Sequence, residues 1–174
     1  GLAGVAVTTT TVGDVLGDEG SYHYRGRSAL ELAERATFEE AAQLVLDGSD
    51  RPALGERHLA GSLAPYLALG EIRTGLSALG ASLGLRPSAD IDGEARRADA
   101  VRLISAFPTL VASLRRGEIV TPRDDLGHVA NYLWMLLGAE ATPEIVWALQ
   151  AYCVLSIEHG FNSGTFAARV VAST

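Results

Sequence analysis

A single cysteine, Cys153, occurs in the 174 residues, which excludes an intrachain disulfide and a cysteine-based zinc site. That scarcity fits a reducing cytoplasm. Basic residues are also in deficit: 14 Lys and Arg stand against 21 Asp and Glu, a net charge of −7. An acidic surface repels phosphate backbones, and no helical segment carries a basic recognition face, so nucleic acid is not an expected partner. No apolar run reaches the length of a membrane-spanning helix. The opening Gly1–Val7 has no basic n-region of a signal peptide. It has no initiator methionine either, which leads to the expectation of a chain processed, trimmed or incomplete at its start. Internal repeats, low-complexity runs and a second domain are lacking, and the length suits one domain.

What is present is apolar and periodic. Hydrophobic residues make up 48% of the chain, enough for a substantial core. Residues 3–11 alternate weakly and are rich in Val and Thr, which predicts a strand. Gly13 to Gly20 read as a break, and Ser21–Arg25 as a second strand, giving a small N-terminal hairpin in which Tyr24-Arg25-Gly26 closes a structural turn. After Gly26 the period turns helical. Ser28 with Glu31, and Thr37 with Glu40, stand at capping-box spacing. Phe38, Ala41, Ala42 and Val45 share one helical face, and Gly48 supplies a left-handed C-cap.

Residues 53–85 predict two helices broken near Gly70, with Gly80 and Gly84 leaving room for close packing. Residues 94–116 predict a long helix that Pro108 interrupts and kinks, because proline removes an i→i−4 bond. Gly117 to Pro122 form a linker. Asp124 and Asp125 open the next helix, where acidic charge complements the dipole; it ends at Gly138. Thr142-Pro143-Glu144 is a strong start signal for a helix reaching about His159, and Gly160 breaks it. A last helix begins near Ser163 to Thr165. Its apolar run is still uncapped at Thr174, which leads to the expectation of more chain beyond. Trp134, Met135 and Trp147 fall at helical spacing and read as core or subunit interface. His23, His58 and His128 fall on exposed-looking turns or faces and take no function. Cys153, mid-helix among apolar residues, reads as a buried, inert thiol. The fold class is therefore mainly α, with one small hairpin.

Two stretches carry a family resemblance. Ser156-Ile157-Glu158-His159-Gly160-Phe161-Asn162-Ser163-Gly164-Thr165-Phe166-Ala167-Ala168-Arg169-Val170-Val171-Ala172-Ser173-Thr174 resembles the citrate synthase segment A-D-H-E-x-N-A-S-T-F-T-A-R-V-x-A-S-T. Upstream, Val129-Ala130-Asn131-Tyr132-Leu133-Trp134-Met135-Leu136-Leu137-Gly138 is similar to that family's A-x-N-F-L-Y-M-L-x-G helix. At the other end, Gly1-Leu2-Ala3-Gly4-Val5 resembles G-L-E-G-V. Tyr24-Arg25-Gly26 with Leu30, Leu32 and Ala33 resembles Y-R-G-x-x-I-x-x-L-A, and Thr37-Phe38-Glu39-Glu40-Ala41 resembles S-F-E-E-V. The likeness spans the chain and is least diagnostic over 50–95. The sequence departs from the pattern at Ile157-Glu158-His159-Gly160 and at Asn162-Ser163-Gly164-Thr165; the E-H-G form resembles some bacterial citrate or 2-methylcitrate synthases.

The resemblance implies a multi-helical fold in which residues 1–174 are the N-terminal part of the large domain, the small domain and C-terminal part being absent from the chain. It implies an acyltransferase that condenses oxaloacetate with acetyl-CoA, or propionyl-CoA, to citrate or methylcitrate. It also implies a homodimer built by helix packing, with no metal and no cofactor bound by this segment. The family's catalytic groups lie in P-L-H-G-G, G-H-R-V-Y and a late aspartate motif. None of these occurs here, so the resemblance assigns no catalytic residue to this chain and implies that it is inactive alone. Two residues remain as substrate-binding candidates. His159 is the family's oxaloacetate-contacting histidine by position, and a neutral imidazole donates to a carboxylate or ketone oxygen at small desolvation cost. Asn162 adds an amide, and a helix starting near Ser163 would present N–H groups to a dianion. Without the resemblance His159 reads as a helix C-cap, Asn162 as a turn residue and Arg169 as an ion-pair partner. The competing reading is a non-catalytic helical module that binds a carboxylate or a partner chain.

Overall fold

The computed structural model describes residues 9–48, 54–55, 57–158 and 163–172. The chain divides into two compact units, one made of Gly1–Arg51 with Gln150–Thr174, the other of Pro52–Leu149.

The first unit opens with a three-stranded antiparallel sheet in the order β1 (Gly13–Leu16), β2 (Ser21–Tyr24), β3 (Arg27–Ser28). Gly13 pairs with Tyr24 and Leu16 with Ser21, and the connection is a single 3₁₀ turn, Gly17–Glu19, closed by Gly20 at φ 61. The strand thus lies where the sequence suggested a break. Thr9 to Thr11 are not in a strand, and the rest of the expected segment lies outside the described residues. The reason is pairing: a strand ending at Thr11 would need a long loop to reach Ser21, whereas Val12–Leu16 fold back directly and bond to β2. Ladder formation outweighs the low strand propensity of Gly13 and Asp14. Between β2 and β3, Arg25 (φ 47) and Gly26 (φ 80) form a two-residue turn with both φ positive, the geometry that suits a tight hairpin. Arg25 is a non-glycine residue held in the left-handed region. Its N–H donates to Val12 O at 2.8 Å, and its guanidinium donates to Val45 O at 3.1 Å.

Two helices follow, α1 (Ala29–Arg35) and α2 (Phe38–Asp47). Ser28 Oγ accepts from Glu31 N at 3.4 Å. Thr37 and Glu40 complete a reciprocal capping box, Glu40 N to Thr37 Oγ1 at 3.2 Å and Thr37 N to Glu40 Oε2 at 2.7 Å, and Gly48 ends α2 in the left-handed region. The core of this unit joins Tyr24, Ala29, Leu32, Ala33, Ala41 and Leu44 to Val154.

The second unit contains α3 (Ala64–Leu67), α4 (Ile72–Ser82), α5 (Gly93–Arg116) and α6 (His128–Leu137). The break between α3 and α4 falls at Gly70, φ 65. Leu63, Leu67, Leu79, Ala106 and Leu110 form its main core. Close approach occurs at Gly75 rather than at Gly80 or Gly84. A Cβ on Gly75 would meet Leu114 Cδ1 at 3.1 Å and Leu110 Cδ1 at 3.2 Å, whereas one on Gly80 meets only Leu85 at 3.8 Å. Gly84 instead serves a turn at φ 65 with open space around it. α5 is assigned without interruption through Pro108, so the proline does not end the helix. Asp92, not foreseen as a cap, accepts from Ala95 N at 2.8 Å. Ser105, Thr109 and Ser113 recur every four residues on the buried side of α5. Ser105 Oγ takes Gly55 N at 3.0 Å, and Ser113 Oγ takes Val120 N at 3.1 Å, so buried hydroxyls anchor loops to the helix.

α6 starts at His128, after the Asp124-Asp125 turn and not at it. Asp125 is engaged by Arg123, whose Nε donates to Oδ1 at 2.9 Å, and that pairing holds the Asp125 carboxyl below its ordinary pKa. The later start also corrects the reading of His128, which is buried at 7% exposure. With Asn131 and Met135 it forms an i, i+3, i+7 inward stripe. Asn131 is fully buried: its Oδ1 accepts from Arg123 N at 3.0 Å and its Nδ2 donates to Arg123 O. One side-chain amide thereby mimics a strand neighbour for the loop. The loop in turn sets the Arg123 guanidinium 5.2 Å over the Trp134 ring, within reach of Glu140.

Two expectations follow. Gly75→Leu overpacks the α4–α5 contact and is expected to lower unfolding stability by about 1–3 kcal/mol. Gly80→Ala is expected to be neutral or to gain up to about 1 kcal/mol from helix propensity; denaturant melts compare the two. Asn131→Ala strands two backbone groups and is expected to cost about 1–3 kcal/mol. Asn131→Asp should cost more, because a carboxylate oxygen then faces Arg123 O; the same melts measure it.

Candidate functional site

The two sequence-derived candidates, His159 and Asn162, lie outside the described residues. What the structure does describe is the ground on either side of them: α7 (Pro143–Leu155) before, and α8 (Ser163–Ala172) after. α7 begins as expected. Ile145 N and Val146 N donate to Thr142 O at 3.1 and 3.0 Å, and a hydrogen bond from the Thr142 side chain holds Glu144 below the ordinary carboxylate pKa. Pro143 fills the first helical position, where no N–H is needed.

The far end departs from expectation. α7 stops at Leu155, four residues short of His159, and Ser156–Glu158 are no longer helical. A pair of tyrosines from β2 meets the helix at this end. In a continuing helix Val154 O would receive the N–H of residue 158, and Leu155 O that of residue 159. Instead Tyr24 donates its hydroxyl to Val154 O at 2.8 Å, and Tyr22 donates to Leu155 O at 2.7 Å. The Glu158 backbone also hydrogen-bonds the Tyr24 phenol. Ser156 N and Ile157 N turn back to Cys153 O and Val154 O at 3.2 and 3.4 Å, a tightening common at helix ends. Tyr22 and Tyr24 are two apart in a strand and so share a face, with ring centroids 5.8 Å apart and planes at 68°. That i, i+2 spacing was the available signal in the sequence. Which distant carbonyls the hydroxyls would meet was not.

Other candidates resolve as follows. Cys153 is half-buried, and burial pushes its thiol pKa up, which disfavours a reactive thiolate. Met135 is buried and Trp134 half-buried beneath Arg123, whereas Trp147 is 55% exposed on α7. Arg169 is exposed on α8, as are Phe166, Val170 and Val171. Among the described residues no helix is long and apolar enough to cross a membrane.

Burial pushes the Tyr24 phenol up from 10.0 to about 12, partly offset by the Glu158 backbone hydrogen bond. The sign follows directly. In the unfolded chain the phenol ionises near its ordinary value, while the folded phenol stays protonated. Its contribution is therefore complete below the ordinary value and is lost as pH rises toward the folded one. The loss across that window is about 2–3 kcal/mol. Denaturant midpoints measured from about pH 9 upward are expected to fall more steeply for the wild type than for Tyr24→Phe.

The chain is similar to known proteins over its whole length. The family description "Citrate synthase, C-terminal domain" matches residues 1–174. A citrate synthase of Mycolicibacterium smegmatis is 36% identical over 195 residues, covering 100% of this chain and 52% of that protein. A 2-methylcitrate synthase of Mycobacterium tuberculosis is 36% identical over 196 residues, covering 100% of this chain and 49% of that protein. The crystal structure of citrate synthase from Pyrobaculum aerophilum superimposes with a TM-score of 0.80 at 29% identity, covering 99% of this chain and 50% of that one. This chain thus spans about half the length of the curated relatives it matches. With the family description matching the whole chain and relatives at 36% identity across it, the chain belongs to the citrate synthase family.

Proposed function

We propose that residues 1–174 form the N-terminal part of the large domain of a citrate synthase-type acyltransferase, the small domain and remaining catalytic part lying outside this chain. The observation that carries this reading is the match over residues 1–174 to the family, with relatives about twice as long. The reaction is the condensation of oxaloacetate with an acyl-CoA, giving citrate from acetyl-CoA or methylcitrate from propionyl-CoA. Relatives named for each product stand at the same identity.

In that reaction a weakly acidic C–H next to the thioester is deprotonated by a positioned base while a hydrogen-bond donor stabilises the enol. The enol attacks the oxaloacetate ketone, and hydrolysis releases CoA. The contribution of this segment is to hold oxaloacetate. His159 donates to a ketone or carboxylate oxygen, Asn162 adds its amide, and the first N–H groups of α8 face a dianion favourably. No catalytic residue is assigned to residues 1–174, and the segment is inactive without the rest of the enzyme. We further propose a cytoplasmic homodimer formed by helix packing.

The test is thiol release from acetyl-CoA and propionyl-CoA by the natural gene product that contains this chain, with and without oxaloacetate. Oxaloacetate-dependent release is expected, and none from residues 1–174 alone. His159→Ala in the full product is expected to raise KM for oxaloacetate by about tenfold or more, as loss of a charge-assisted hydrogen bond does. Oxaloacetate binding without thiol release from either donor would overturn the enzyme reading in favour of a carboxylate-binding module.

A further inference from the structure

We draw no further inference here: the strongest candidate, the exposed apolar face of Tyr66, Leu69, Ile72 and Leu76 on α3, α4 and the turn between them, carries none, because nothing in the structure shows what covers it.

Discussion

The hydroxyl of Tyr24 is the constraint on which the first unit depends. It joins a strand near the start of the chain to the end of a helix near its finish, and it does so from a site without solvent contact. Buried, a phenol must find a partner or lose the free energy of its lost hydration. The orphan carbonyls at a helix end need donors equally. Each requirement satisfies the other, which is why strand and helix end meet here. The surrounding residues are small, chiefly Ala29, Ala33 and Ala41. That smallness lets the two aromatic rings sit close to the helix backbone and reach it.

The second unit meets the same demand with different groups. Its long helix α5 buries hydroxyls at every fourth residue, and loop N–H groups come to two of them. Asn131 does the equivalent work on α6, supplying both donor and acceptor to Arg123. Buried polar side chains thus replace missing secondary structure: a loop whose backbone groups are satisfied by a rigid helix is held almost as firmly as a strand in a sheet. The ion pairs around Arg123 are exposed and weaker, so the geometry of that corner depends on the amide and on the Trp134 ring beneath the guanidinium.

Both units therefore use side chains from helices and strands to fix segments that have no regular structure. The proposed oxaloacetate ligands, His159 and Asn162, follow in sequence one such segment, Ser156–Glu158. A ligand on a turn binds well only if the turn is pre-set, because ordering it on binding subtracts from affinity.

Local chemistry was legible in the sequence by itself. The Thr37–Glu40 capping box, the Gly48 and Gly138 stops, the Pro143 start, the Gly70 break and the start of α8 all depend on contacts within a few residues, and each stands where its residues placed it. So did the family, because the 156–174 segment is an ordered string of unusual residues. Of the site, the sequence named His159 and Asn162 through that resemblance, while Tyr24 was read only as part of a turn and Tyr22 carried no stated role. Tertiary structure decided everything that needed a distant partner. It moved the first strand to Gly13–Leu16 by pairing it with β2, turned His128 inward by starting α6 later, and put the close helix contact at Gly75. It brought phenol hydroxyls from 130 and 133 residues away to the last carbonyls of α7. Propensity and capping act over one or two turns of chain, and no pattern at that range encodes which carbonyl a distant phenol will reach.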